Sequence, residues 1–289
     1  MNIRPSAFAG AFYDAGPQRC RLHAQRLLDG AQLPTDLDTI VGGIVPHAGW
    51  VYSGPLAAAT VRAVFARGDV GTVVLFGADH RGGVRKGEVY ESGFWQTPLG
   101  EAAIDEEVAS AILAAGGDLR ANAQAHAQEH SLEVLVPLLQ IANPNVRIVP
   151  IAVPPLDAAV AIGQAVGRVL AAKFPHVRVI GSTDLTHHGG HFPAPGGCGE
   201  KGVQWAEKND RRMIDLLTAM AAEKIVPESD ERMNACGAGA AAATVAACRE
   251  LGARTGRLLA YDNSYRIVHA KYPYELDETT VGYASVVFG

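Results

Sequence analysis

Residues 39–50 read TIVGGIVPHAGW, and the fold turns on how that stretch is built. Thr39–Val45 is apolar at nearly every position and stops abruptly at Pro46-His47-Ala48-Gly49. A strand wetted on one face alternates polar and apolar residues, whereas a continuous apolar run is covered on both. The same pattern recurs at Thr72–Phe76 (TVVLF), Val146–Val153 (VRIVPIAV), Val177–Ile180 (VRVI) and Ala284–Phe288 (ASVVF). Between the runs lie stretches with helical spacing or Ala-rich composition: Pro55–Arg67, Ile104–Ala115, Leu156–Lys173, Trp205–Glu223 and Gly237–Glu250. Strand–helix alternation of this kind predicts an α/β fold, with a mostly parallel or mixed central sheet and helices on both faces. No linker or composition break divides the chain, so a single domain over residues 1–289 is expected. The turn-rich stretch Gly189–Gly202 (GGHFPAPGGCGEKG) is too short and too central for a linker, and reads as an active-site loop or lid.

Composition narrows the function classes. The 289 residues are 48% hydrophobic and 19% charged, enough for a large core. The formal charge of −5, without a basic stripe, argues against nucleic acid as a partner. Four cysteines, none in a CxxC pair, fit a reducing compartment. The opening MNIRPSAFAGAFYDAG lacks the charged-then-apolar pattern of a signal peptide, and no apolar run is long enough to span a bilayer. A cytoplasmic location without a membrane partner is expected.

Chemistry collects just past the strands. In open α/β sheets, ligands bind outside the carboxyl ends of the strands. Three such ends carry histidine: His47 after TIVGGIV, His80 after TVVLF in Gly77-Ala78-Asp79-His80, and His187 after VRVI in Ser182-Thr183-Asp184-Leu185-Thr186-His187-His188. A lone strand-end histidine is ordinarily a satisfied, half-buried side chain. Three at equivalent positions, brought to one edge of a parallel sheet, suit a metal ion and an acid/base group. Cys236 precedes Gly237 where an Ala-rich helix begins. The helix dipole there should favour the metal-binding thiolate, although a small buried hydrophobe is an equal reading. Cys20 and Cys248 fall within helices, and Cys198 in the exposed loop. Glu129-His130-Ser131-Leu132-Glu133 is expected to open a helix. Glu129 and Glu133 would then share a face, either complementing the dipole or orienting a metal-bound histidine. His126 lies one turn earlier, and His23, His176 and His269 have no comparable context.

Several motifs together resemble the Memo family. They are Pro46-His47-Ala48-Gly49-Trp50-Val51-Tyr52-Ser53-Gly54, Glu129-His130-Ser131 with Glu133, Ser182-Thr183-Asp184 with His187, and Cys236-Gly237. Arg4, Ala11-Phe12-Tyr13 and the closing Gly282-Tyr283-Ala284 also fit, so the likeness runs in order over nearly the whole chain. It departs at Asp79-His80-Arg81, where the family usually shows Ser-His-His. The arginine would suit an anionic substrate group.

The resemblance implies a fold like that of the class III extradiol ring-cleaving dioxygenases. It implies a mononuclear non-haem iron oxidoreductase with His47, His80 and Cys236 as ligands. In that reading His187, Asp184 and His130 are catalytic. Arg81, Trp50, Tyr52 and Glu129 bind substrate. The expected cofactor is Fe(2+), with copper or zinc admitted by the softer sulfur ligand. The expected partners are an aromatic or catechol-like small molecule and O2, and assembly as a homo-oligomer stays open. Two other readings remain: metal (copper or iron) or peptide binding without turnover, and metal-dependent hydrolysis.

Overall fold

The computed structural model describes residues 2–33, 39–66, 68–272 and 279–289. In chain order the elements are β1 (Ile3–Arg4), α1 (Pro17–Gly30), β2 (Gly42–Val45), α2 (Trp50–Phe65), β3 (Thr72–Gly77), β4 (Gly87–Val89), β5 (Phe94–Thr97), β6 (Gly100–Ala103), α3 (Glu106–Ala114), β7 (Leu119–Ala121), α4 (Val136–Ala142), β8 (Arg147–Ala152), α5 (Ala158–Lys173), β9 (Arg178–Ser182), β10 (His187–His188), α6 (Gly199–Thr218), α7 (Ala222–Arg232), α8 (Ala238–Glu250), β11 (Gly256–Asn263), α9 (Ser264–Lys271) and β12 (Thr280–Phe288). The main sheet runs β10-β12-β2-β9-β3-β8-β4-β7, with β11 also paired to β12. Its centre, β2-β9-β3-β8, is parallel. β12 and β4 pair antiparallel to the flanks of that centre, which makes the sheet mixed. β1, β5 and β6 form a separate small sheet.

Each central strand is apolar along most of its length because it feeds two cores. Val73 and Leu75 of β3 join Val45, Ile148 and Ile180 against α1, α2 and α4. Val74 and Phe76 point the other way and join Ile44, Val149, Ile151 and Val179 against α3, α5, α6, α7 and α8. Each such side chain contributes about 1.5–3 kcal/mol on burial. The second core is closed by α5 against α8, where every residue from Ala238 to Cys248 is buried.

Three expected boundaries move. The α2 helix starts at Trp50 and takes Pro55 inside, so the proline does not mark its start; Arg67 lies outside the described residues. The stretch expected as one helix over Trp205–Glu223 is two. The chain breaks at Met220, which takes a positive φ of 53°. Because α6 begins at Gly199, the irregular loop is Gly189–Cys198 rather than Gly189–Gly202. Among the described residues no helix is long and apolar enough to cross a membrane.

Candidate metal centre

The parallel register sets the ends of β2, β9 and β3 side by side, with Val45 opposite Ser182 and Phe76 opposite Gly181. The loops that leave these ends therefore meet. His47 Nε2 lies 3.1 Å from Cys236 Sγ, and the His47 and His80 rings are 4.9 Å apart, edge to face. One ligand atom from each of His47, His80 and Cys236 lies within 4.8 Å of the others. Nitrogen and sulfur bound to one ion at about 2.1 and 2.3 Å sit about 3.1–3.6 Å apart, so the His47–Cys236 pair already has the spacing of two ligands on one ion, with His80 close beside it.

The surroundings aim these ligands. His47 Nδ1 bonds Ser182 Oγ at 2.7 Å, which leaves Nε2 on the side of the sulfur. The His47 backbone N–H donates to Asp184 Oδ1 at 2.7 Å. His80 Nδ1 faces Glu129 Oε1 at 2.9 Å and its backbone N–H donates to Glu129 Oε2 at 2.8 Å. A carboxylate only accepts, so Nδ1 carries the proton and Nε2 keeps its lone pair. Glu129 also accepts from the Ser131 amide at 2.8 Å. Burial opposes its charge, but the His80 side-chain bond and the Ser131 and His80 amides hold its pKa down at about 2. Burial likewise pulls His80 down, and Glu129 more than reverses it. His47 is driven well below its ordinary value by burial and by the neighbouring imidazoles.

Cys236 differs from expectation. Gly237 separates it from α8, which starts at Ala238. The backbone there runs so close to the end of β9 that a side chain on Gly237 would strike the Ser182 carbonyl. This approach delivers Cys236 to the strand ends. Its thiol is pushed up, first by burial and then by the Asp184 carboxylate, against hydrogen bonds to the Asp184 backbone and Thr183 that lower it. The sulfur stands 3.1 Å from His47 Nε2, and metal binding there would require loss of the thiol proton.

A cavity of about 410 Å³ borders the centre, lined by Phe12, Tyr52, His130, Asp184, His187, Phe192 and Tyr283 among others. His187 Nδ1 bonds the Leu185 carbonyl at 3.0 Å; a carbonyl only accepts, so Nε2 is its basic nitrogen. Burial lowers its pKa, and the Leu185 bond only partly restores it. His130 stacks on His80 at 4.4 Å and is held neutral, at about 4, by burial and by His80. Asp184 accepts from the His47 and Ala48 amides rather than bonding His187 among the described residues, and burial raises it to about 7.

Other expected residues are placed elsewhere. Trp50 is 2% exposed and donates to the Val134 carbonyl at 2.9 Å, so it is a core anchor outside this cavity. Arg81 lines a second cavity of about 420 Å³ with Asp79, Asn122, Gln124 and Gln128, none of which borders the first. Glu129 acts on His80 rather than on the cavity. Glu133 does not share its direction: residues 129–132 precede the short 3-10 turn Glu133–Leu135, and the Glu133 carboxylate takes Arg4 at 2.7 Å. Phe12, Ser182, Phe192 and Tyr283 had no assigned role in the sequence; all but Phe192 sat inside recognised motifs that could have flagged them.

A family profile described as Memo-like protein matches residues 4–287. The chain is similar to a MEMO1 family protein of Methanopyrus kandleri, 35% identical over 99% of this chain and 98% of the relative. It is 36% identical to one of Methanothermobacter thermautotrophicus, over 91% of this chain and 94% of the relative. A third, of Pyrococcus abyssi, is 34% identical over 99% of each.

Proposed function

The chain belongs to the Memo family, and from that membership we propose that it is a mononuclear non-haem metal oxidoreductase, with ferrous iron on His47, His80 and Cys236 and a catechol-like aromatic substrate oxidised by O2. The observation that carries the reading is the convergence of two imidazoles and one sulfur within 4.8 Å. When bound, the ion would supply Lewis acidity and one-electron chemistry to a substrate lying beside it.

The chain's own residues have separate tasks. Phe12, Tyr52, Phe192 and Tyr283 give the cavity aromatic walls suited to a planar ring. Its volume of about 410 Å³ is that of a small-molecule site. His187, neutral by burial, accepts a substrate hydroxyl proton at Nε2 and can return it later. Asp184, poised at about 7, holds the His47 backbone and tunes the charge beside Cys236. Phe192, 4.9 Å from the His187 ring, carries the Gly189–Cys198 loop over the base and limits water.

The sulfur supports a second reading, metal holding without turnover. A thiolate beside two imidazoles also suits copper or zinc, and it is easily oxidised. Protein purified without air decides between them. The expected result is about one metal per chain in wild type, lost in His47→Ala and in Cys236→Ser. Oxygen uptake with a panel of catechols should fall about 100-fold or more in His187→Ala with metal content unchanged. Metal retained in both ligand variants would remove the centre; tight metal binding with no oxygen uptake would leave the holding role.

A further inference from the structure

Arg4 is only 3% exposed, and no step of the chemistry above uses it. A guanidinium is buried only where its donors are met. Here Nε donates to the His126 carbonyl at 2.7 Å and Nη2 to the Glu129 carbonyl at 2.9 Å. Nη1 donates to Glu133 Oε2 at 2.7 Å, with a longer 3.4 Å contact to the Pro5 carbonyl. The guanidinium carbon sits 4.3 Å from the Trp95 ring centroid. Three of these acceptors belong to one segment, residues 126–133, and that segment carries Glu129 and His130.

Glu133 extends the clamp to the N-terminal segment. It accepts from the Ala7 amide at 3.0 Å, the Phe8 amide at 2.8 Å and the Tyr13 hydroxyl at 2.8 Å. Phe8 and Phe12 then lie 5.5 and 4.7 Å from the His130 ring. The Phe12 carbonyl accepts from the Trp50 amide at 2.8 Å. One fork of donors thus fixes the backbone of the residue whose carboxylate holds both His80 N–H groups.

We propose that Arg4 is a positioning residue of the metal centre: by pinning the Glu129 backbone it sets the carboxylate that orients His80, and it makes the N-terminal segment part of the site. The inference rests on the metal reading above. Arginine suits the task because its planar fork meets several acceptors at once, which a lysine ammonium at the same place does not.

Cobalt(II) titration of the metal-free full chain, followed by thiolate–cobalt absorption, tests it. Arg4→Lys should weaken Co(II) binding about tenfold or more, the usual cost of disturbing a group that orients a ligand. Glu129→Gln should weaken it as well. The double substitution should bind no more weakly than Glu129→Gln alone, because Arg4 acts through Glu129. A lower unfolding temperature with unchanged Co(II) affinity in Arg4→Lys, or losses that multiply in the double variant, would overturn the proposal. Wild-type hydrogen exchange covers variants that fail to fold. Coupling is reciprocal, so Co(II) should slow exchange at the Ala7 and Phe8 amides as well as at His80. Protection at His80 alone would also overturn it. Wild type that takes up no Co(II) would instead remove the metal centre, and this inference with it.

Discussion

The α5–α8 interface and the rim at the ends of β2, β9 and β3 are both buried, yet they are built in opposite ways. In the first, Gly163 and Gly167 let α5 lie directly on the backbone of Ala243 and Ala247, and the contact is almost wholly apolar. In the second, His47, Glu129, Ser182, Thr183 and Asp184 are all buried and polar. There His47, Glu129 and Asp184 are held by named partners: Ser182 and the Asp184 carboxylate for His47, the Ser131 and His80 amides for Glu129, and the His47 and Ala48 amides for Asp184. Dry contact stores stability and has no adjustable part. The polar rim stores geometry, so substitutions there should change affinity before they change the fold.

The comparison breaks first at Gly163. A Cβ there would fall on the Ala243 carbonyl, which is backbone of another helix and has no room to give. Gly163→Val is therefore expected to cost about 3 kcal/mol or more, despite removing a helix glycine. Urea or thermal unfolding reads it out. The fraction that remains folded should bind metal as wild type does. A loss under about 1 kcal/mol would mean that α5 and α8 slide apart freely, and the interface is not the rigid side of the molecule.

The two regions also differ in how well the sequence declares them. Strands β2, β3, β8 and β9 were legible because two-sided burial writes a continuous apolar run. β11 (GRLLAYDN) and the two- to four-residue strands β1, β4, β5, β6, β7 and β10 were not, since their pairing comes from tertiary contacts rather than local pattern. The break between α6 and α7 falls in LLTAMAAEK, which holds neither glycine nor proline to mark it, although Met220 takes a positive φ there. His47 and His80 were visible because they follow strands. Glu129 and Glu133 misled, since a spacing of four reads as one helical face while residues 129–132 are not helical. Phe12 and Tyr283 entered only as parts of motifs, because an aromatic residue carries no mark of which cavity it faces.

A smaller effect sharpens the polar side. Asp210 of α6 is fully buried and accepts from the Thr186 amide at 2.8 Å and the Tyr261 hydroxyl at 2.6 Å, so it braces the loop that ends in His187. Burial raises its pKa to about 6, against hydrogen bonds from Thr186 and Tyr261 that lower it. A carboxyl raised on folding keeps its proton in the fold after the unfolded chain has lost it. Below about pH 4 both states are protonated, between about 4 and 6 only the fold is, and above that both are ionised. Stability from this group therefore falls as pH rises through that window, by up to about 3 kcal/mol. Asp210→Asn should remove the fall. The difference between the two unfolding curves, taken on metal-free protein, isolates Asp210 from Asp184, and a flat difference from pH 4 to 7 would contradict the assignment.

The smallest effect is expected at Arg81, and it marks where the polar rim ends. Asp79 and Arg81 flank His80, yet both line the second cavity, and Arg81 is exposed. His80 itself is held from the other side, by Glu129. Arg81 thus borders the metal centre in sequence and stands outside it in space. Arg81→Ala should leave Co(II) affinity within about twofold, and stability within about 0.5 kcal/mol, as for a surface change away from special features. A tenfold loss of affinity, measured by the same cobalt titration, would mean that the two cavities act as one across His80. An anionic group reaching the ion from the Arg81 side would then become the better description of the substrate.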